Sequence, residues 1–134
     1  MSLKYLLDTN ICIYIMKQKP QSVLEKFEQL EVGMVGMSAI TYGELLYGAK
    51  KSNQTKKAED LIHQLCGYIP PLPLSLKVPE YYASIRARLE QQGRIIGNND
   101  LWIAAHSLEL GITLITNNEK EFSRVDKLKI ENWV

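Results

Sequence analysis

Short apolar runs alternate along this chain with longer segments in which apolar residues recur every three or four positions. The short runs predict strands at residues 3–8, 35–38, 68–70, 112–116 and 129–133. The longer segments predict helices at residues 10–17, 22–30, 40–51, 55–66, 79–92 and 101–110. Strands that alternate with helices pair in parallel through right-handed crossovers. The pattern therefore predicts an α/β fold, with a mostly parallel sheet of four to five strands and helices on both faces.

Several element ends carry residues suited to them. Ser38 and Ser75 are predicted to cap helix starts, and either Asn98 or Asn99 to cap the helix that follows them. Gly93 and Gly111 are suited to the left-handed position just past a helix end.

Length and composition predict one domain over residues 1–134, since 46% of the residues are hydrophobic and 23% are charged. No apolar run approaches the roughly 20 residues needed to cross a bilayer, and no signal-peptide pattern precedes the first strand. We therefore expect a cytoplasmic protein. Cys12 and Cys66 lie far apart without a CxxC pair, which favours two buried free thiols over a zinc site or a disulfide.

The segment YLLDTN ends the first predicted strand on a carboxylate, Asp8. Ligands of open parallel sheets bind beyond the carboxyl ends of the strands, so Asp8 lies at the functional edge. The alternative is structural, because Asp is also a good cap for the helix that follows.

Two further acids lie on predicted helices beside small residues. Glu44, in SAITYGELLYG, shares a helix face with Thr41 and Gly48. Asp100, in the first turn of the helix in NNDLWIAAHSLELG, shares its face with small side chains. Each also has a structural explanation: Glu44 as a solvated helix residue, and Asp100 as a charge stabilised by the helix dipole.

The segment LITNNEKEF places Thr116, Asn117 and Asn118 after the fourth predicted strand, with Glu121 about one turn later. Alone this segment is typical of a turn.

Taken together, the predicted acids crowd one edge of the sheet, where like charges raise one another's pKa unless a cation relieves the repulsion. Ligands that are all oxygens suit Mg²⁺ or Mn²⁺ rather than zinc, and such an ion performs phosphate chemistry.

In this order and spacing, the four segments resemble the PIN-domain ribonucleases, most closely the VapC toxins of bacterial toxin–antitoxin modules. The resemblance spans essentially the whole chain. It implies that Asp8, Glu44 and Asp100 are the metal-binding acids. The family's fourth acid falls on Asn118, so this chain departs from the pattern there, and Glu121 is the candidate replacement. Whether the site holds one metal or two stays open.

The resemblance also implies a mechanism and partners. It implies a Mg²⁺- or Mn²⁺-dependent endoribonuclease for structured RNA, with a tRNA as target, notably the anticodon loop of initiator tRNA. It implies a VapB-type antitoxin whose C-terminal segment occupies the acidic site and its groove, and a homodimer.

In this mechanism water attacks a phosphodiester. Asp8 and Asp100 hold the metal, Glu44 holds it or its water and helps to remove the proton, and Asn118 with Glu121 completes the second side. Thr116 is a supporting residue. Thr9 and Asn10 are expected to orient Asp8 through hydrogen bonds. The candidate contacts to RNA phosphates are Lys17, Lys19, Lys50, Lys51 and Arg94.

Two other functions compete with this one. A haloacid dehalogenase-type phosphatase also has an Asp after its first strand, but its second Asp would fall on Asn10. A catalytically impaired PIN-fold domain that only binds nucleic acid or an antitoxin is favoured by Asn118 and opposed by the three retained acids. His106 faces away from Asp100 on its predicted helix and is not expected to be catalytic.

Overall fold

Five parallel strands form the central sheet of the computed structural model, which describes residues 2–134. The strands are β1 Tyr5–Leu7, β2 Val35–Ser38, β3 Pro71–Leu72, β4 Thr113–Ile115 and β5 Ile130–Glu131. They lie in the order β3-β2-β1-β4-β5, and every neighbouring pair is parallel. The chain leaves β1 towards β2 on one side and later returns to β4 on the other. The carboxyl ends of β1 and β4 therefore flank a topological switch point, the usual ligand position in such sheets.

Helices cover both faces of this sheet. They are α1 Thr9–Lys17, α2 Gln21–Glu28, α3 Ala39–Lys51, α4 Thr55–Tyr68, α5 Val78–Gln91, α6 Asn98–Leu110 and α7 Glu119–Phe122. Successive strand residues point to opposite faces, so Leu7 enters the core with α1 to α4 while Leu6 enters the core with α5 and α6. Both leucines are fully buried. The α/β prediction with helices on both faces is confirmed.

The third strand and one short helix differ from the sequence prediction. The strand predicted at residues 68–70 is wrong, because α4 continues to Tyr68 and Ile69 N still donates to Leu65 O at 2.8 Å. The strand begins at Pro71 instead, at the edge of the sheet, where a residue without an N–H is tolerated. Helix α7 was not predicted, since four residues are too few for a helical period to be visible.

Predicted helix ends are partly confirmed. Ser38 Oγ accepts from Ile40 N at 3.1 Å and caps α3, and Gly93 and Gly111 have left-handed φ values of 65° and 68°. The predicted Asn cap of α6 is wrong, because the helix already includes Asn98 and Gly97 is its cap residue. Ser75 does not cap α5 itself: its hydroxyl accepts from Lys77 N in the turn before the helix.

The two cysteines are free, as predicted, but differ in burial. Cys12 is fully buried in the core, whereas Cys66 is only half-buried, so the prediction of burial is wrong in part. Burial raises the pKa of both thiols, and that of Cys12 more strongly. Among residues 2–134, the helices are all too short or too polar to cross a bilayer.

Gly36 allows β2 and β3 to approach closely, which gives a test of this packing. A Cβ at Gly36 would lie 2.9 Å from Leu72 Cδ1 and 3.3 Å from Pro70 O. We expect Gly36→Ala to lower the free energy of unfolding by about 1–3 kcal/mol in urea denaturation. Gly48→Ala is the matched control, because a Cβ there meets open space at an exposed position of α3, and we expect a gain of about 0.5–1 kcal/mol. Equal effects of the two substitutions would contradict this packing.

Candidate active site

Asp8 is anchored where β1 ends and α1 begins. Its Oδ1 accepts from Ile11 N at 3.0 Å, which caps α1, and its Oδ2 accepts from Thr116 Oγ1 at 2.6 Å. The side chain of Thr116 reaches it because β4 lies beside β1 in register. Asp8 is only 5% exposed. The capping role and the site role predicted for Asp8 as alternatives are thus both compatible with one carboxylate.

Glu44 lies on α3 and is held by residues of two other helices. Its Oε1 accepts a short hydrogen bond from Thr9 Oγ1 on α1, and its Oε2 accepts from Asn99 Nδ2 on α6 at 3.2 Å. Thr9 Oγ1 also lies 3.4 Å from Thr41 Oγ1. Neutral donors from α1 and α6 therefore fix the Glu44 carboxylate.

Asp100 lies in the first turn of α6, next to Glu121 of α7. Glu121 Oε1 accepts from Gly97 N at 3.3 Å, and Glu121 Oε2 accepts a short hydrogen bond from Asn118 Nδ2. Asn118 is itself held by its N–H, which donates to Thr116 Oγ1 at 2.9 Å. The residue that departs from the acidic pattern thus orients another acid.

The carboxylates perturb one another. The pKa of Asp100 is raised from 3.8 to about 7, first by burial and then by the negative charges of Glu121, Glu44 and Asp8. Burial also raises the pKa of Asp8, even though Thr116 and the Ile11 N–H lower it. Asn118 lowers the pKa of Glu121 and keeps it ionised. The structure therefore brings the other three predicted acids within electrostatic reach of Asp100.

An all-oxygen donor set with unrelieved negative charge fits Mg²⁺ or Mn²⁺. Within residues 2–134, no three His, Cys, Asp or Glu side chains already converge as a ready-made cage. The reason is visible in the hydrogen bonds: Glu44 and Glu121 direct their oxygens to protein donors. A hydrated Mg²⁺ needs only one or two direct carboxylates, because water supplies its other ligands. The donors present therefore fit the ion.

One predicted supporting contact is wrong. Thr9 was expected to orient Asp8, but its hydroxyl bonds Glu44 instead, because α1 turns that side chain towards α3. Asn10 has an exposed side chain, and only its backbone N–H bonds Asp8. Thr116 and Ile11 provide the principal contacts to Asp8.

The predicted RNA-contacting cations differ in surroundings. Lys17 and Glu44 line the same groove, beside apolar side chains of α1, α3 and α4. Lys50 Nζ pairs with Glu59 Oε2 at 2.9 Å, and Lys51 Nζ lies 5.0 Å from the centre of the Tyr47 ring. Lys50 and Lys51 lie on α3 more than one helical turn beyond Glu44. Lys19 and Arg94 are exposed in loops.

Asn99 is a site residue that sequence reasoning missed. The sequence pattern predicts Asn99 only as a helix cap, whereas its side chain donates from α6 to Glu44 on α3. The pairing spans 55 positions of sequence, and no local pattern encodes such a contact.

The chain is similar in sequence to a known protein family. Residues 5–128 match the family model of the PIN domain. Ribonuclease VapC2 of Haemophilus influenzae is 42% identical over 132 residues, which cover 98% of this chain and 99% of that protein. The chain belongs to the VapC family of PIN domains.

Two more relatives match this PIN domain over nearly the full length of both chains. The tRNA(fMet)-specific endonuclease VapC of Shigella flexneri is 40% identical over 98% of both chains. The crystal structure of VapBC2 from Rickettsia felis bound to a DNA fragment from their promoter contains a similar chain, with a TM-score of 0.90 and 37% identity. That match covers 98% of this PIN domain and 100% of the other chain. The predicted fold and family are confirmed.

The raised pKa of Asp100 makes the stability of the metal-free protein depend on pH. Between about pH 4 and pH 7 the folded state retains a proton that the unfolded state has lost, so stability falls as the pH rises through this window. We expect Asp100→Asn to raise the free energy of unfolding at pH 8 by about 1–2 kcal/mol, after allowance for solvent screening. At pH 4 it should change little.

Urea denaturation in EDTA at pH 4 and pH 8 measures the free energy of unfolding of the wild type and of Asp100→Asn. Asp60→Asn is the control, because Asp60 is exposed, pairs with Lys56 and is not among the acids that raise the pKa of Asp100. A similar effect of Asp100→Asn at pH 4 and pH 8 would show that charge repulsion is not its cause.

The hydroxyl of Thr116 gives a second test, because it donates to a buried carboxylate. We expect Thr116→Val to lower the free energy of unfolding at pH 7 by about 1.5–3 kcal/mol, since it leaves Asp8 Oδ2 without this donor. Thr116→Ser keeps the hydroxyl and should retain most of the stability. If Val and Ser variants unfold alike, the hydrogen bond is not the source of the loss.

Proposed function

We propose that this PIN domain is the toxin of a toxin–antitoxin module and cleaves RNA as a divalent-metal-dependent endoribonuclease. The observation that carries this proposal is the grouping of Asp8, Glu44, Asp100 and Glu121: burial, and then the negative charges of the other three acids, raise the pKa of Asp100 to about 7. Membership in a family with relatives named ribonucleases supports the reaction class.

The proposed cofactor is Mg²⁺, with Mn²⁺ as its substitute. Asp8 and Asp100 would hold it directly, with Glu44 and Glu121 contributing directly or through water. When bound, the ion supplies an activated water and neutralises charge on the leaving oxygen.

The protein's own residues position this chemistry. Asp8 cannot swing away from the site, because hydrogen bonds hold both of its oxygens. Glu44 is the proposed proton acceptor: it is half-buried, and Thr9 and Asn99 fix its carboxylate at the groove. Asn118 keeps Glu121 ionised at the other side of Asp100. Glu121 therefore takes the place of the fourth acid.

The proposed substrate is structured RNA, and more narrowly a tRNA cut in its anticodon loop, with initiator tRNA as the first candidate. The support is 40% identity to the Shigella flexneri protein named tRNA(fMet)-specific endonuclease. Lys17 is the first proposed phosphate contact, because it shares a groove with Glu44, and Lys19, Lys51 and Arg94 are the further candidates. Lys50 is a weaker candidate because Glu59 neutralises it. The substrate would place the activity in the cytoplasm.

The proposed partner is a VapB-type antitoxin, supported by the similarity to the Rickettsia felis VapBC2 structure. An apolar groove between α1, α3 and α4 includes Ile13, Met16 and Leu45 and also has Glu44 and Lys17 on its wall. A C-terminal antitoxin segment lying there would cover the acidic site. We also propose that the toxin is a homodimer.

Asn118 is the one feature that favours a catalytically impaired binding domain. The hydrogen bond from Asn118 to Glu121 argues against an impaired domain, because it holds the Glu121 carboxylate beside Asp100 as a fourth acid.

Cleavage of a total tRNA pool by the antitoxin-free protein tests the proposed function. We expect a discrete cut with Mg²⁺ or Mn²⁺ that disappears in EDTA. Asp8→Asn should lower the rate by at least about a hundredfold, because it removes a metal ligand and its charge. Asp60→Asn removes an equal charge away from the proposed metal ligands and should cleave as wild type does.

The outcomes separate the two candidates. Intact tRNA and rRNA with wild type, despite Mn²⁺ binding, would support the impaired domain. A cut that persists in Asp8→Asn or in EDTA would exclude the proposed metal mechanism.

A further inference from the structure

A hydrogen bond between two buried polar side chains joins α3 and α6. His106 Nδ1 lies 2.8 Å from Ser38 Oγ, and the two side chains are 1% and 0% exposed. They are 68 positions apart in sequence. Burial lowers the pKa of His106, which favours the neutral imidazole. Within residues 2–134, the hydrogen bonds of these two side chains go to each other and to Ile40 N rather than to the acids described above.

Ser38 also fixes the beginning of α3. It is the last residue of β2, and its Oγ accepts from Ile40 N in the first turn of the helix. The hydroxyl therefore attaches His106 of α6 directly to the start of α3. Because the pair is enclosed in the core, water cannot replace either partner. Loss of Ser38 leaves His106 Nδ1 without its hydrogen bond, and loss of His106 leaves Ser38 Oγ with only the Ile40 N–H.

The two helices joined here carry acids of the proposed site. Glu44 follows Ser38 by six positions on α3, and Asp100 precedes His106 by six positions on α6. A second hydrogen bond links the same helices at the site itself, from Asn99 Nδ2 to Glu44 Oε2. The site hydrogen bond is exposed, whereas the Ser38–His106 bond is shielded from water.

We propose that Ser38 and His106 form a positioning pair that sets the separation of Glu44 and Asp100. This inference rests on the proposed function, because the separation matters through metal binding and RNA cleavage. The pair acts through the helices and touches neither the metal nor the RNA. An error of about 1 Å in the placement of reacting groups costs up to about a hundredfold in rate, so a small shift of α6 against α3 is sufficient.

Four variants and one control test the pair. His106→Leu fills the space without the hydrogen bond, whereas His106→Asn retains a polar atom near the Nδ1 position. Ser38→Gly removes the hydroxyl and keeps a residue tolerated at helix caps. The double variant combines Ser38→Gly with His106→Leu. Ser107→Ala is the control, because it removes a buried hydroxyl from α6 whose bond goes to Ile112 O and not to α3.

We expect His106→Leu and Ser38→Gly each to lower kcat about tenfold and weaken Mn²⁺ binding about tenfold, with KM for RNA unchanged. The double variant should lose no more than either single one, because the two act through one bond. His106→Asn should recover most of the loss, and Ser107→Ala should keep wild-type kcat and Mn²⁺ affinity even where its melting temperature falls.

Unchanged kcat and Mn²⁺ affinity in both single variants would overturn the positioning role, as would additive losses in the double variant or an Asn variant no better than Leu. Should His106→Leu not fold, Ser38→Gly and His106→Asn give the same comparison. If the wild type binds Mn²⁺ but cleaves no RNA, the proposed function fails and the Mn²⁺ affinities alone decide the role of the pair. A wild type that binds no Mn²⁺ would overturn both.

Discussion

A buried carboxylate at the end of the central strand is the constraint on which this structure depends. Asp8 is 5% exposed, and the Thr116 hydroxyl and the Ile11 N–H offset part of the desolvation of its charge. These donors come from the strand beside it and from the helix that follows it. The same two hydrogen bonds therefore join β1 to β4, start α1 and hold a negative charge at the switch point of the sheet.

The other acids are attached to this centre by helices that each begin near the same edge. Their carboxylates are held by neutral donors, Thr9 and Asn99 for Glu44 and Asn118 for Glu121, rather than by Lys or Arg. Neutral donors orient a carboxylate without cancelling its charge, so the repulsion that adds to burial in raising the pKa of Asp100 remains. Sites that give up stability for function in this way are common in enzymes. The excess charge is what a bound cation would relieve.

The sequence predicted the parts of this arrangement that follow from local patterns. The position of Asp8 follows from a strand that stops at a cap residue, and the acids on α3 and α6 were marked by small neighbours. Contacts between distant segments could not be predicted, because side-chain pairing is decided by tertiary packing. Thr9 was therefore assigned to the wrong acid and Asn99 was missed. The edge strand at Pro71–Leu72 was misplaced for a related reason: two residues carry no periodicity, and α4 extended over the predicted segment.

We propose that these carboxylates form one cation site at the carboxyl edge of the sheet. Anomalous diffraction from crystals of the antitoxin-free protein soaked in Mn²⁺ tests it most directly. We expect a peak about 2.1 Å from carboxylate oxygens of Asp8 and Asp100, with Glu44 and Glu121 in contact directly or through water. A peak bound elsewhere, or none at a Mn²⁺ concentration that supports cleavage, would contradict it.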